Sequence, residues 1–204
     1  MNSSTNHWDT IFINTKENEL GWYEDDVGQT LKFIQNISFE KSKRVFLSGA
    51  GTSMLVDELL DKKYELVLND ISSEALNKLK NRLNSEKKIE WIHQDISQVL
   101  PSSIPKVDIW IDRAVLHFLL EEIEIEGYFN NIYRLVKEGG YVLLAEFSTT
   151  GATHCATLPL HRYSIDELSS RMGKSFELLE YEEYTYLNPF GALRPYIYAL
   201  FKRK

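Results

Sequence analysis

Two stretches, Arg44-Val-Phe-Leu-Ser-Gly-Ala-Gly-Thr-Ser53 and Leu66-Val-Leu-Asn-Asp70, constrain this chain more than any others. A short apolar run leads into two glycines and a helix start, and a second apolar run then ends in a carboxylate. Continuous apolar runs of this length, bounded by turn residues, read as strands buried on both faces. Gly49 and Gly51 let the backbone turn sharply and approach a ligand with no Cβ in the way. Thr52 or Ser53 is placed to cap the following helix, and Asp70 to accept from a ribose diol. The arrangement predicts a nucleotide site at the carboxyl ends of the first two strands.

The rest of the chain repeats the alternation. Val27, Leu31 and Ile34 recur at helical spacing and predict one helix over 25–36, within a polar, aromatic-bearing lead-in. Helices follow over 52–61 and from Ser72 or Ser73 to Leu83. Strands are expected over 89–92, ending near Asp95, over 107–111, ending at Asp112, and over 141–146. A helix over about 121–136 ends at the Gly139-Gly140 turn. Ser164 and Glu167 stand in capping-box spacing at the head of a helix over 164–172. Beyond it, 176–186 and 195–201 are strand-like runs joined by Leu187-Asn-Pro-Phe-Gly191 with no helix between, so they should pair antiparallel. Alternating strands and helices predict a parallel sheet covered on both faces, closed by one hairpin.

Composition narrows what such a fold serves. A net charge of −7 argues against a general binder of nucleic acid. The single cysteine, Cys155, excludes an internal disulfide and a cysteine-cluster zinc site. No apolar run approaches the roughly 20 residues that span a bilayer, and the polar start carries no secretory pattern, so a cytoplasmic location is expected.

Two features, Met54 and the C-terminal hairpin, count against a nicotinamide cofactor. Dinucleotide sites carry a third glycine, and Met54 stands at that place. The chain from Arg44 onward instead resembles the class I S-adenosylmethionine-dependent methyltransferases. Val45–Ser53 is similar to their first motif. Asp70-Ile71-Ser72 and Gln94-Asp95-Ile96 resemble the ends of their second and third strands, and Asp108–Asp112 their fourth motif. Leu135–Leu144 resembles their turn into strand five. Asp112-Arg-Ala-Val-Leu-His-Phe-Leu119, the stretch His154–Tyr163, and the N-terminal His7-Trp8-Asp9 with Leu20–Tyr23 narrow the resemblance to a small bacterial subgroup.

The resemblance implies a single domain, 1–204, with a Rossmann-like α/β three-layer sandwich. Its seven-stranded, mostly parallel sheet would have the order 3-2-1-4-5-7-6, with strand 7 antiparallel. Residues 1–43 would be an N-terminal helical lid and 44–147 the cofactor-binding core. Residues 148–204 would supply the acceptor-side loop, a helix and the C-terminal hairpin. It implies S-adenosyl-L-methionine as cofactor, and the anionic composition without a basic stripe favours a small-molecule or protein methyl acceptor over nucleic acid. Ser48, Gly49, Ala50 and Gly51 would face the cofactor, with Asp70 on the ribose and Asp95 on the adenine amino group. Ile96 would cover the ring, and Ile71 would be a further cofactor-binding residue. One departure is clear: the family carries an acid two positions before the first motif glycine, where this chain has Leu47. Carbonyls around Ser48 and Gly49, with Ser48 Oγ, are then the remaining acceptors for the methionine ammonium.

Other residues have two readings each. Asp70 and Asp95 could be a turn aspartate and a helix cap. Asp112 faces the site or pairs with Arg113. Trp22, with Tyr23 and Trp8, either covers the sulfonium end through its ring face or packs the N-terminal segment. Asp112, His117 and Glu146 are the candidate bases for an amine or hydroxyl acceptor, and His117 is equally a packing residue. His154, Cys155, His161, Arg162 and Tyr163 follow strand five, where the acceptor pocket is expected. Three histidines without shown convergence do not make a metal site, and none is expected. The rival functions are a non-catalytic S-adenosylmethionine binder or scaffold, which Leu47 keeps open, and a nicotinamide-dependent oxidoreductase.

Overall fold

A computed structural model describes residues 3–35, 37, 43–83 and 89–204. Nine strands and six α-helices occur among them: α1 (Ser3–Asn14), α2 (Gly28–Gln35), β1 (Arg44–Ser48), α3 (Leu55–Asp61), β2 (Glu65–Asp70), α4 (Ser73–Leu83), β3 (Ile89–His93), β4 (Val107–Arg113), α5 (Glu122–Leu135), β5 (Val136–Phe147), β6 (His154–Cys155), β7 (Leu158–Pro159), α6 (Ile165–Met172), β8 (Phe176–Leu187) and β9 (Leu193–Arg203). Seven strands make one sheet in the order β3-β2-β1-β4-β5-β9-β8, and β6 and β7 form a separate two-stranded ribbon. β1 to β5 are mutually parallel, and β9 runs antiparallel to both β5 and β8. With β8 and β9 counted as sheet strands six and seven, this is the expected order.

Alternate residues of each strand feed opposite layers. Val45, Leu47, Leu66, Leu68, Ile109 and Ile111 join the core that α2, α3 and α4 cover. Phe46, Val67, Trp110, Val142 and Leu144 join the one that α5 and α6 cover. Two buried faces are why these strands read as unbroken apolar runs. At the centre of the second layer the Phe46 and Trp110 rings stack 4.1 Å apart, and Trp110 Nε1 donates to Tyr128 Oη. The C-terminal hairpin also follows its alternation, with Tyr196, Tyr198 and Leu200 on one face and Ile197, Ala199 and Phe201 on the other.

Several boundaries differ from the sequence expectation. α3 starts at Leu55, three residues late, because the chain first completes a loop with positive φ at Gly49 and Gly51. Ser53 Oγ accepts from Leu55 N within that loop, and no side chain caps the helix at Met54. Ser72 is the cap of α4, its Oγ accepting from Ala75 N. Ser164 Oγ accepts from Glu167 N as the spacing predicts. The helix expected over 25–36 is α2, and its last residue, Asn36, lies outside the described residues, as do Met1 and Asn2. α1 was not legible. No helix among the described residues is long and apolar enough to cross a membrane.

Candidate functional site

Parallel strands leave their carboxyl ends on one side, and the loops leaving β1, β2, β3 and β4 enclose a cleft there. Gly49 and Gly51 both lie in the left-handed region, at φ 58° and 51°. A Cβ on Gly49 would stand 2.1 Å from Val115 Cγ2, so no side chain fits between this loop and the turn after β4. Asp70, 6% exposed, accepts from Gly51 N through Oδ2 at 2.7 Å and from Ser72 N through Oδ1 at 2.8 Å. One carboxylate thus ties the β1 loop to the β2 loop at the cleft wall. Arg82 of α4 braces the same loop from outside, donating to Thr52 O and Ser53 O and pairing with Asp57. Each charged hydrogen bond is worth about 1.5–3 kcal/mol when it must be lost without replacement, and less where water can enter. Arg82→Ala should therefore lower stability by about 1–2 kcal/mol in a denaturant titration.

Burial pushes the Asp70 carboxyl up to about 6, against the pull of its two amide donors. Because the folded value lies above the unfolded one, its stabilising contribution is complete below about pH 4 and is lost as pH rises through about 6. A ligand that donates hydroxyls to Asp70 requires the ionised form. Its affinity should then fall by up to about tenfold per pH unit below about pH 6 and level off above pH 7, which calorimetry at several pH values checks. A flat profile across this range would contradict a hydroxyl-accepting role.

The wall at β3 is held by α5. Asp95 Oδ1 accepts from Ser97 N and Ser97 Oγ, closing a tight turn, and Asp95 and Ile96 line the cleft together with Ile71. Asn131 donates to Ile96 O and Gln98 O and accepts from Leu100 N, while Arg134 donates to Leu100 O. Gly127 lets the helix come this close: a Cβ there would lie 2.0 Å from Ser97 O.

The roof comes from the N-terminal segment. Asp9 of α1 accepts from Ser72 Oγ and Glu74 N at the start of α4, and Phe12 Cζ lies 3.5 Å from a Cβ placed on Gly51. Trp8 packs edge-on against Trp22 and Phe118, at 5.6 and 4.9 Å between ring centres. Trp22 lines the main cleft and also a narrower extension of it between the β1 loop and residues 20–24.

The structure brings Asp112, His117 and Glu146 together but places all three at 0% exposure, and none lines the cleft. Asp112 Oδ1 holds Val115 N, beside Ala114 with its φ of 76°. Glu146 Oε2 holds His117 N at 3.1 Å and His117 Nδ1 at 2.6 Å. Burial drives both carboxyls well above the usual range, with their mutual repulsion adding to Asp112, and drives the imidazole down to about 3. The imidazole is therefore neutral, and its contact with Glu146 is a hydrogen bond, not an ion pair. As placed, these candidate bases touch one another, Tyr128 and the backbone, outside the lining of the cleft. Burial of the strand ends is the reason: β4 and β5 are central strands, and their terminal carboxyls stay beneath the turn at Ala114 and Val115. Asp112 also does not pair with Arg113, whose NH2 instead lies 2.6 Å from Glu24 Oε1.

The expected acceptor loop contributes differently from its polar residues. Leu158 of the ribbon lines the cleft. His161 bonds Glu167 and its amide donates to His117 O; Arg162 donates to Thr149 O, and Tyr163 is fully buried. His154 and Cys155 pair with Pro159 and Leu158 in the ribbon. Sequence reasoning missed Phe12, Glu24, Phe118 and Leu119 as site residues. The one usable signal was Arg113, a lone cation inside an apolar run.

Residues 48–142 match the family model described as a methyltransferase domain. The chain has a methyltransferase fold. An S-adenosylmethionine-dependent methyltransferase from Anabaena variabilis superposes with a TM-score of 0.79 at 14% identity, covering 98% of this chain and 93% of that one. The N-methyltransferase NodS from Bradyrhizobium japonicum, solved with S-adenosylhomocysteine, gives 0.71 at 13% identity and covers 99% of each chain. A Geobacillus sp. (strain WCH70) protein provisionally named a methyltransferase is 29% identical over 125 residues, or 60% of this chain. The match spans 50% of that relative's own length. In the methyltransferase fold, the cleft described here lies at the carboxyl ends of the strands, where open α/β sheets take their ligands.

Proposed function

We propose that this chain is an S-adenosylmethionine-dependent methyltransferase acting on a small-molecule or protein side-chain acceptor by in-line displacement. The observation that carries the reading is the convergence of Gly49, Gly51, Asp70, Ile71, Asp95 and Ile96 on one cleft. The residues fit the cofactor on structural grounds too. Asp70 is anchored at the cleft by two amides, and Ser48 Oγ, in the narrow extension, is buried with no hydrogen-bond partner among the described residues. When bound, S-adenosylmethionine supplies an electrophilic methyl group, which an acceptor lone pair takes along the methyl–sulfur axis.

The chain's own part is to hold and to exclude water. Asp70 would hold the ribose, Asp95 the adenine amino group, and Ile71 and Ile96 the ring. The Gly49–Gly51 loop would lie against the methionine portion, under Trp22. Asp112, Glu146 and His117 act as positioning residues, fixing the turn from Ala114 to His117. Holding the acceptor lone pair in line with the methyl group can supply roughly 7–11 kcal/mol of a transfer barrier. With Asp112, His117 and Glu146 outside the cleft lining, the acceptor brings its own lone pair, as an easily ionised thiol or carboxylate or an unprotonated amine. Trp8, Phe118, Leu119 and Leu158 offer it an apolar surface. The similar NodS and the glycopeptide enzyme MtfA are named N-methyltransferases, and a similar Ilyobacter polytropus protein a malonyl-[acyl-carrier protein] O-methyltransferase, which supports a small-molecule or protein-borne acceptor.

Calorimetric titration with S-adenosylmethionine, S-adenosylhomocysteine and NAD tests the cofactor. Binding of the two sulfur ligands and not of NAD is expected. Binding of NAD alone would sink the reading. The buried state of the candidate bases favours one alternative, a binder without turnover. A stable cofactor complex inert toward thiol, carboxylate and amine acceptors would establish it.

A further inference from the structure

The narrow extension of the cleft, between the β1 loop and residues 20–24, holds one acid and one base among its lining residues, Glu24 and Arg113. They lie 2.6 Å apart and are about nine-tenths buried, with side-chain exposures of 10% and 11%. Arg113 is held in place by Trp22 O, to which NH1 donates, and by the rings of Tyr186 and Tyr196 at 5.2 and 5.3 Å. Its Nε is buried with no hydrogen-bond partner among the described residues, and so is Ser48 Oγ, which lines the same space. At the neighbouring position Leu47 contributes no oxygen and is packed in the apolar core at 3% exposure.

A buried ion pair beside unpartnered donors is complementary to a ligand that itself carries both charges. We propose that Glu24 and Arg113 form the seat for the free α-amino-acid end of the cofactor, Glu24 accepting from the ammonium and Arg113 donating to the carboxylate. Glu24 thereby supplies, from the N-terminal segment, the carboxylate that position 47 lacks. Insertion of a zwitterion turns one ion pair into four alternating charges, and the free Nε gives Arg113 a donor that need not leave Glu24. Charge-assisted contacts of this kind are the strong ones, and the guanidinium matches a carboxylate in shape. The ligand stays net neutral there, so no unpaired charge is buried. This assignment rests on the methyl-donor reading given above.

The test compares S-adenosylhomocysteine with 5′-methylthioadenosine, which keeps the nucleoside and thioether but lacks the amino-acid end. Wild-type protein should bind the first at least tenfold more tightly, a comparison that needs no variant. Glu24→Gln should weaken S-adenosylhomocysteine at least tenfold and leave methylthioadenosine within twofold. Equal wild-type affinities for the two ligands would overturn the seat while the donor reading survived. So would an equal loss for both ligands in a folded Glu24→Gln protein, or no loss for either. Failure of the wild type to bind either ligand would overturn both.

Discussion

Asp70→Ala should reduce affinity for S-adenosylhomocysteine by a hundredfold or more while leaving a folded protein. A carboxylate that accepts two hydroxyls makes two charged hydrogen bonds, each worth about 1.5–3 kcal/mol, and their joint loss exceeds two decades in affinity. The fold survives because opposing effects meet at this side chain. Ionising Asp70 in its buried place, with its value pushed up to about 6, costs about 3 kcal/mol at neutral pH, a cost the alanine removes. Against that, Gly51 N and Ser72 N lose their acceptor, which costs about 1–3 kcal/mol each where water cannot replace it. The net change in stability is small beside the binding loss. Calorimetry paired with a thermal melt separates the two, and an Asp70→Ala protein that bound normally would remove Asp70 from the site.

Gly127→Ala acts from the opposite direction, on a residue that never meets a ligand. By helix propensity alone, alanine would stabilise α5 by about 0.8–1 kcal/mol. Sterics reverse the sign. The new Cβ would sit 2.0 Å from Ser97 O and 3.1 Å from Ser97 C, backbone atoms that no rotamer change can clear. Either α5 or the Asp95–Ser97 turn must shift, and overpacking of this kind costs about 1–3 kcal/mol. For a domain of this size each kcal/mol lowers Tm by about 2–4 °C. A fall of several degrees is expected, together with weaker cofactor binding as Asp95 and Ile96 leave their places. Glu126→Ala, on the exposed side of the same helix, should change stability by no more than about 0.5 kcal/mol. Equal melting curves for Gly127→Ala and wild type would contradict the packing argument.

How much of this could be read from the residues depends on whether a signal was local. β1 and β2 were legible because strands buried on both faces leave unbroken apolar runs, and the hairpin of β8 and β9 because nothing helical separates them. Asp70 was legible because it closes such a run, and Asp95 because it follows the end of the third strand. α1 was not. Ser3–Asn14 is rich in Ser, Thr, Asn and Asp, which are weak helix formers, and its support is tertiary, through Asp9 on α4 and Phe12 over Gly51. The depth of Asp112, His117 and Glu146 was equally hidden, since a strand end facing a cleft and one lying under it have the same pattern in sequence. Glu24 and Arg113 are 89 positions apart in the chain, and only the fold sets them side by side. The tight approach at Gly127 needed the partner backbone to be seen.

The position of β9 inside the sheet sets an order on synthesis. β8 is made first, yet it has no place to pair until β9 has formed between it and β5. A nascent chain that has reached residue 192 can build the cleft loops from β1 to β5. Its sheet then stops at β5, where Val142, Leu143 and Leu144 lie along an open edge. Unpaired apolar edges recruit other strands, so this is the interval in which a growing chain is most exposed to mispairing with its neighbours on the polysome. The eleven residues of β9 close that interval in a single step, covering β5 on one side and seating β8 on the other.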